Sequence, residues 1–368
     1  MRLKDICTVF TDGDWIESKD QSDEGIRLIQ TGNIGEGVYL EKEARAKYIS
    51  EDTFEKLKCT EIYPGDILVS RLPEPVGRAC IVPQKEGRMI TAVDCTICRP
   101  DESIVSKEYL CYFMRSNSYY MKLLGNVTGT TRKRISRKNL ENVKLDVPSK
   151  ENQKEVVKQL DCLSKVIDLR NKELQLFDNL IKARFVELFG MPVSNTKGWS
   201  TESMEDVAPI VNYKGEFHEE VWLLNLDMVE AQTGRIIDYL IVTEDEVGNS
   251  TCTFDTSNVL YSKLRPYLNK VVIPNRCGYA TSELVPLQPV NTKINREYLA
   301  FMLRNDEFVN MINEKVAGAK MPRVSMNDFR KFDVPVPPIE LQNQFADFVH
   351  QVDKSKVAVQ KALDETQM

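Results

Sequence analysis

The sequence predicts an α+β protein built from two similar globular domains in a pseudo-twofold arrangement, separated by an antiparallel coiled coil of two long helices. Three observations lead there. The chain repeats itself; each repeat mixes short strand-like runs with helical runs; and each repeat is followed by a long segment with a 3.5-residue apolar period.

The repeat comes first. A shift of 189 residues lays 107–153 on 296–342 without a gap, and 12 of the 47 positions are identical. KEYLCYFMRSNSYY falls on REYLAFMLRNDEFV, NVTGTTRKRIS on KVAGAKMPRVS, and Glu151 and Gln153 on Glu340 and Gln342. With small changes of offset, GDILVSRLPEP resembles SNVLYSKLRPY and LKDICTVF resembles MEDVAPIV. Matches that recur in order along a whole half divide the chain into domain 1–149, helix 150–190, domain 191–337 and helix 338–368. Within the domains, GDILVSR, RACIVP, SNVLYSK and NKVVIP are short strands bounded by turn residues. YLCYFMRSNSYYMKLL and YLAFMLRNDEFVNMI have helical spacing.

In the first long helix Val156, Leu160, Leu163, Ile167, Leu174, Phe177, Ile181, Phe185 and Leu188 recur in steps of three and four, with Arg170 in the one polar slot. No Gly or Pro interrupts residues 151–189, so about 40 residues make a rod of roughly 60 Å. The second helix repeats the seam more weakly, through Leu341, Phe345, Phe348, Val352, Val359 and Ala362, with Ser355 in its polar slot. Two such seams in one returning chain pair with each other, antiparallel.

Composition narrows the function. The 368 residues are 42% hydrophobic and 28% charged, with a formal charge of −6. No run approaches the ~18 apolar residues of a membrane span, and nine cysteines suit reduced thiols, so a cytoplasmic protein is expected. Only two histidines, His218 and His350, are available for general-base or zinc chemistry. There is no phosphate-binding Gly loop, no GxSxG elbow and no NPPY-like methyltransferase tetrad. Cys95 and Cys98 form a CxxC inside a strand-like run and read as structural. An acidic group, Asp5, Asp12, Asp14 and Glu17 with Lys19, leaves a metal-dependent nuclease as a minor alternative; a coiled-coil scaffold without DNA readout is the other.

The loops point elsewhere. TGTTRKRISRK places Thr128, Gly129, Thr130, Arg132, Lys133 and Arg134 together, with Lys320 and Arg323 in the equivalent loop. Hydroxyls, backbone amides and cations are donors for phosphate. A second pair of loops offers Arg71 and Arg78, and Lys263, Arg265, Tyr267 and Lys270; a third offers Gln30, Thr31 and Asn33, and Asn225. Arg reads guanine edges, and Asn and Gln read adenine. The loops diverge between domains while the frame agrees, as expected if each domain reads a different sequence.

On IQTGNIG, YPGDILVSR, the RP at 99–100, TGTTRKRIS and the VPS-x-ENQ turn, and on SKLRPYLNK and VPVPPIELQ in the second half, the chain resembles the DNA-specificity subunits of type I restriction-modification enzymes. The resemblance implies two target-recognition domains, each reading half of a split site in double-stranded DNA, with the helices acting as a ruler and docking modification methyltransferase subunits. It also implies a restriction motor-nuclease subunit as partner. No cofactor is expected in this chain; S-adenosylmethionine, ATP and Mg belong to the partners. The second helix is shorter and less regular than the first.

Overall fold

The computed structural model describes residues 1–129, 133–215, 217, 220–316 and 321–367. The chain forms two compact units, Met1–Val166 and Ile167–Met368, so the division falls inside the first long helix.

Unit 1 holds strands β1 Cys7–Asp12, β2 Ile26–Ile29, β3 Tyr48–Ile49, β4 Glu61–Ile62, β5 Ile67–Ser70, β6 Ala79–Ile81, β7 Met89–Thr91, β8 Cys95–Pro100 and the hairpin β9 Val127–Thr128 with β10 Arg134–Ile135. One antiparallel sheet has the order β1-β8-β5-β6; the other has the order β3-β2-β7-β4, in which β2 and β7 run parallel. Helices α1 Glu51–Leu57, α2 Lys107–Phe113, α3 Asn117–Leu124 and α4 Arg137–Glu141 complete the unit. All four β5 residues are buried because both of its faces are covered. Ile67 and Val69 pack with Leu110, Tyr119 and Leu140 of the helices, whereas Leu68 packs with Ile29 and Met89 of the second sheet.

The long helix α5 spans Lys150–Phe189. Unit 2 then repeats the plan with β11 Thr201–Ser203, α6 Met204–Val207, β12 Glu220–Leu224, β13 Leu240–Thr243, β14 Thr251–Phe254, β15 Val259–Ser262, β16 Val271–Val272, β17 Gly278–Thr281, β18 Leu284–Leu287, α7 Arg296–Arg304, α8 Asp306–Glu314, α9 Met326–Arg330, β19 Asp333–Pro335 and α10 Ile339–Gln367. The sheet β13-β12-β17-β14 again has a parallel central pair, β12 with β17, and β16-β15-β18 repeats β6-β5-β8. Even β15 alternates as β5 does: Val259 and Tyr261 face one cluster and Leu260 the other. Equivalent helices start on equivalent side-chain caps, Ser106 and Asn295, Ser116 and Asn305, Ser136 and Ser325.

A buried polar link is also duplicated, with its chemistry changed. Asp66 accepts two charge-assisted bonds from Arg99, at 2.7 and 2.8 Å, and one from the Tyr63 amide at 2.9 Å. In unit 2 Asn258 accepts from the Asp255 amide at 2.8 Å and donates to Gln288 at 2.9 Å. The ion pair of one unit is an amide pair in the other. The GD and RP pairs on which the family resemblance rests therefore form one internal strut.

Helix α10 runs antiparallel to the C-terminal half of α5. Arg170 donates to Thr366 at 3.1 Å, Lys356 to Asp178 at 2.7 Å, and the rings of Phe185 and Phe345 meet edge to face. Ile181 and Phe185 are buried in unit 2's core, and Phe177, Leu188, Leu341 and Phe348 pack against it. Two expectations change. The seam of α10 runs through Phe345, Val349, Val352, Lys356, Val359 and Leu363, because Lys356 lays its aliphatic stem along the seam and carries its charge to Asp178. Ser355 is exposed instead, and bonds back to the Gln351 carbonyl. On α5, Leu160, Ile167 and Leu174 are half-buried, and Val156 and Leu163 are 37% and 45% exposed, so the first two turns of the expected seam are not covered within unit 1.

Candidate nucleic-acid interface

Three loops of each unit converge. In unit 1 they are the turn 30–34, the loop 71–78 after β5 and the described ends of the hairpin, 127–129 and 133–135. The hairpin is tied to the middle loop where the Ile135 amide donates to the Arg71 carbonyl at 3.1 Å, and the middle loop to the turn through Arg78. Gly129 takes φ +96°, a conformation that favours Gly at the hairpin tip. In unit 2 the Val324 amide donates to the Lys263 carbonyl at 2.9 Å, and the Arg265 amide to Pro322 at 2.8 Å, so 263–270 and 321–324 lie side by side. Lys270 ties that loop to the 225–228 turn.

The three loops differ in what they offer a ligand. Thr128, Gly129, Lys133, Arg134, Arg265, Tyr267 and Arg323 are exposed, and Gln30, Thr31, Asn225 and Lys263 are half-buried. Thr130, Arg132 and Lys320 lie outside the described residues. Lys133 pairs with Glu74 at 2.8 Å; Arg134 pairs with Asp94 at 2.9 Å and Arg323 with Glu283 at 2.8 Å. The hydrogen bonds to Glu283 raise the Arg323 pKa above its ordinary value. Arg137 and Lys138, just beyond the first loop, are exposed cations.

Four expected readers belong to the scaffold instead. Asn33 is 5% exposed; its side chain accepts from the Gln30 amide and donates to the Leu40 carbonyl, both at 3.0 Å. Arg71 is also 5% exposed, donates to the Val93 carbonyl at 2.6 Å and lies 3.3 Å from Asp12. Arg78 gives its guanidinium to the carbonyls of Thr31, Ile34, Pro73 and Pro75. Lys270 donates to the Leu226 carbonyl at 2.7 Å, and burial lowers its pKa. Turn carbonyls that a sheet does not satisfy need donors, and these cations supply them.

The acidic group near the N-terminus is dispersed. Asp5 pairs with Arg2, Asp12 accepts from Thr96, Asp14 accepts from the Thr60 amide, and Glu17 pairs with Lys19. Among the described residues, no cluster of three His, Cys, Asp or Glu is placed to hold a metal ion. Cys95 and Cys98 are free and buried, and burial pushes the Cys95 thiol up to about 12.

Duplicated α+β units, each with a basic segment beside a strand loop and each followed by a long helix, define a class of paired recognition modules. Residues 1–176 and 197–366 match the type I restriction modification DNA specificity domain, and the chain belongs to that family, whose members are the non-catalytic specificity components. It is 23% identical over 291 residues to the type I restriction enzyme EcoDI specificity subunit of Escherichia coli; the match covers 68% of this chain and 63% of that relative's length. It is 20% identical over 395 residues to the putative type I restriction enzyme MjaX specificity subunit of Methanocaldococcus jannaschii, covering 98% of this chain and 89% of the relative. A chain from a structural study of complex assembly and conformational transition of the type I R-M system shares the fold, with TM-score 0.61, 16% identity and coverage of 100% and 92%. The type I restriction-modification S subunit from M. genitalium gives TM-score 0.50 at 12% identity, with the same coverage. No helix among the described residues is long and apolar enough to cross a membrane.

Proposed function

We propose that this chain is the DNA-reading subunit of a type I restriction-modification assembly, acting in the cytoplasm. Each unit reads one half of a split, asymmetric site in double-stranded DNA. The paired helices set the unread gap and dock the adenine-methyltransferase modification subunits, which bind S-adenosylmethionine; a motor-nuclease subunit that uses ATP and Mg completes the restriction complex. One observation carries this reading: three loops meet at the same place in both units, two of them tied by equivalent backbone bonds and the third by the Arg78 or Lys270 side chain, while their exposed residues differ. A common frame with divergent tips suits two half-sites of different sequence. The net charge of −6 fits a subunit whose DNA affinity depends on phosphate contacts from its partners.

Domain exchange tests it. With residues 1–149 replaced by the matching domain of a relative, methylome mapping is expected to show one half of the modified site changed and the other kept; a change in both halves, or in neither, defeats the reading. A seven-residue insertion within 160–168, upstream of the stretch that α10 covers, keeps the 3.5-residue phase and adds ~10 Å of helix. The unread gap is expected to lengthen with the half-site bases unchanged.

A further inference from the structure

Arg134 and Arg323 occupy equivalent positions in the two basic loops, and so do the acids they meet. Arg134 Nη2 donates to Asp94 Oδ1 at 2.9 Å. Arg323 donates to Glu283 Oε1 from Nη2 at 2.8 Å and from Nε at 3.2 Å. The acids differ in length, yet the pairing persists. Each acid sits in the turn just before the strand that ends the sheet motif, β8 or β18, and each turn is fastened to the middle loop, the Arg71 amide donating to the Asp94 carbonyl at 2.9 Å and the Lys263 amide to the Glu283 carbonyl at 3.0 Å. The carboxylates are therefore anchored to the sheet, whereas the arginines belong to the hairpin of unit 1 and the 321–324 segment of unit 2.

Both arginine side chains remain 48% exposed, and Nη1 of each donates to none of the described residues. Ion pairs this open contribute little to stability, so stability does not account for their presence in both units. Orientation does. A carboxylate on one side of a guanidinium fixes the direction of its free edge. It also offsets the positive charge that would draw the group to any phosphate, and it leaves the fork geometry suited to the paired neutral acceptors O6 and N7 of guanine.

We infer that Asp94 and Glu283 are positioning residues that hold Arg134 and Arg323 for bidentate contact with a guanine edge, one in each half-site. The inference rests on the DNA-recognition reading above. To test it, the full chain, assembled with the modification subunits it works with, is titrated against a duplex carrying its methylome-mapped site and against duplexes changed one base pair at a time, at fixed salt. Asp94→Asn is expected to lose about tenfold in discrimination at one base pair of one half-site while keeping or raising affinity for unrelated DNA. Glu283→Gln does the same in the other half-site, and Asp94→Glu restores discrimination. If Arg134→Ala abolishes discrimination at a base pair while Asp94→Asn leaves it intact, the positioning role is overturned and DNA reading stands. If Arg134→Ala weakens all sequences equally and flattens the salt dependence, the arginine is a phosphate contact and the inference fails. If Arg134→Ala and Arg323→Ala leave every affinity unchanged, the reading of these loops as DNA contacts fails with it.

Discussion

Gln153 and Gln342, 189 positions apart, make the same three hydrogen bonds. Gln153 accepts from the Ser106 amide at 2.8 Å and donates to the Ile104 and Pro148 carbonyls at 2.9 Å. Gln342 accepts from the Asn295 amide at 2.9 Å and donates to the Lys293 and Pro337 carbonyls at 2.9 and 2.8 Å. Both side chains are buried, at 1% and 0% exposure. Each glutamine fastens the first turn of a long helix to the loop that enters α2 or α7, so one amide anchors the start of each rod to its domain. Replacement by Leu keeps the volume and orphans an amide and two carbonyls. Gln153→Leu and Gln342→Leu are each expected to lower stability by about 1–3 kcal/mol, read as a fall in the melting temperature.

The Asp66–Arg99 strut allows a sharper test, because unit 2 supplies its replacement. Asp66→Asn alone strands the cation of Arg99, whose side chain is 31% exposed, and is expected to cost about 2 kcal/mol. Asp66→Asn with Arg99→Gln recreates the pair formed by Asn258 and Gln288, and is expected to recover at least half of that loss in denaturant melts. A double variant no better than the single one would show that the two units do not share this strut.

Arg78 is expected to act through folding. Arg78→Ala removes the donor for four turn carbonyls and is expected to destabilise unit 1 by about 2–3 kcal/mol. Arg78→Lys is expected to be milder, since Lys270 holds the equivalent turn with one bond. Thermal melts without DNA decide; an unchanged melting temperature for Arg78→Ala would return this residue to the list of DNA readers.

Thiol chemistry should divide the nine cysteines by burial. Cys162 and Cys277 are exposed. Burial pushes the Cys80 and Cys95 thiols up to about 12 and raises Cys98 as well. A raised pKa removes the reactive thiolate at pH 8, so these thiols stay inert until the fold opens. Native chain at pH 8 is expected to react with a disulfide reagent at Cys162 and Cys277 first, and unfolded chain at all nine. Rapid labelling of Cys95 in the native state would contradict the buried placement.

The sequence made the duplication, the two long helices and the location of the basic loops legible, because these rest on periodicity and residue type. It did not separate Arg71 and Arg78 from Arg134 and Arg323. All four are arginines in polar loops, and only the fold shows which of them face unsatisfied carbonyls. The slip from Lys356 to Ser355 has a similar origin: a hydropathy reading places the smaller, less polar residue in a seam, whereas the long lysine stem fills the slot and its amine finds Asp178. Side-chain amides serve turns and adenine edges equally well, so only the fold shows the Asn33 amide engaged with Gln30 and Leu40.

The backbone link from Leu3 to Val143 closes unit 1 before α5 begins, whereas the core of unit 2 includes Ile181 and Phe185 from α5 and Phe345, Val349 and Val352 from α10. During synthesis the first unit can therefore fold while the second is still being made. The second cannot complete its core until the ribosome has released α10. Nascent chains stalled near residue 200 should already protect unit 1 from protease, and those stalled near residue 340 should leave unit 2 open. An aggregation-prone intermediate, if one accumulates, is expected to expose the aromatic cluster around Phe185, Phe189 and Tyr298, into which Phe345 packs last.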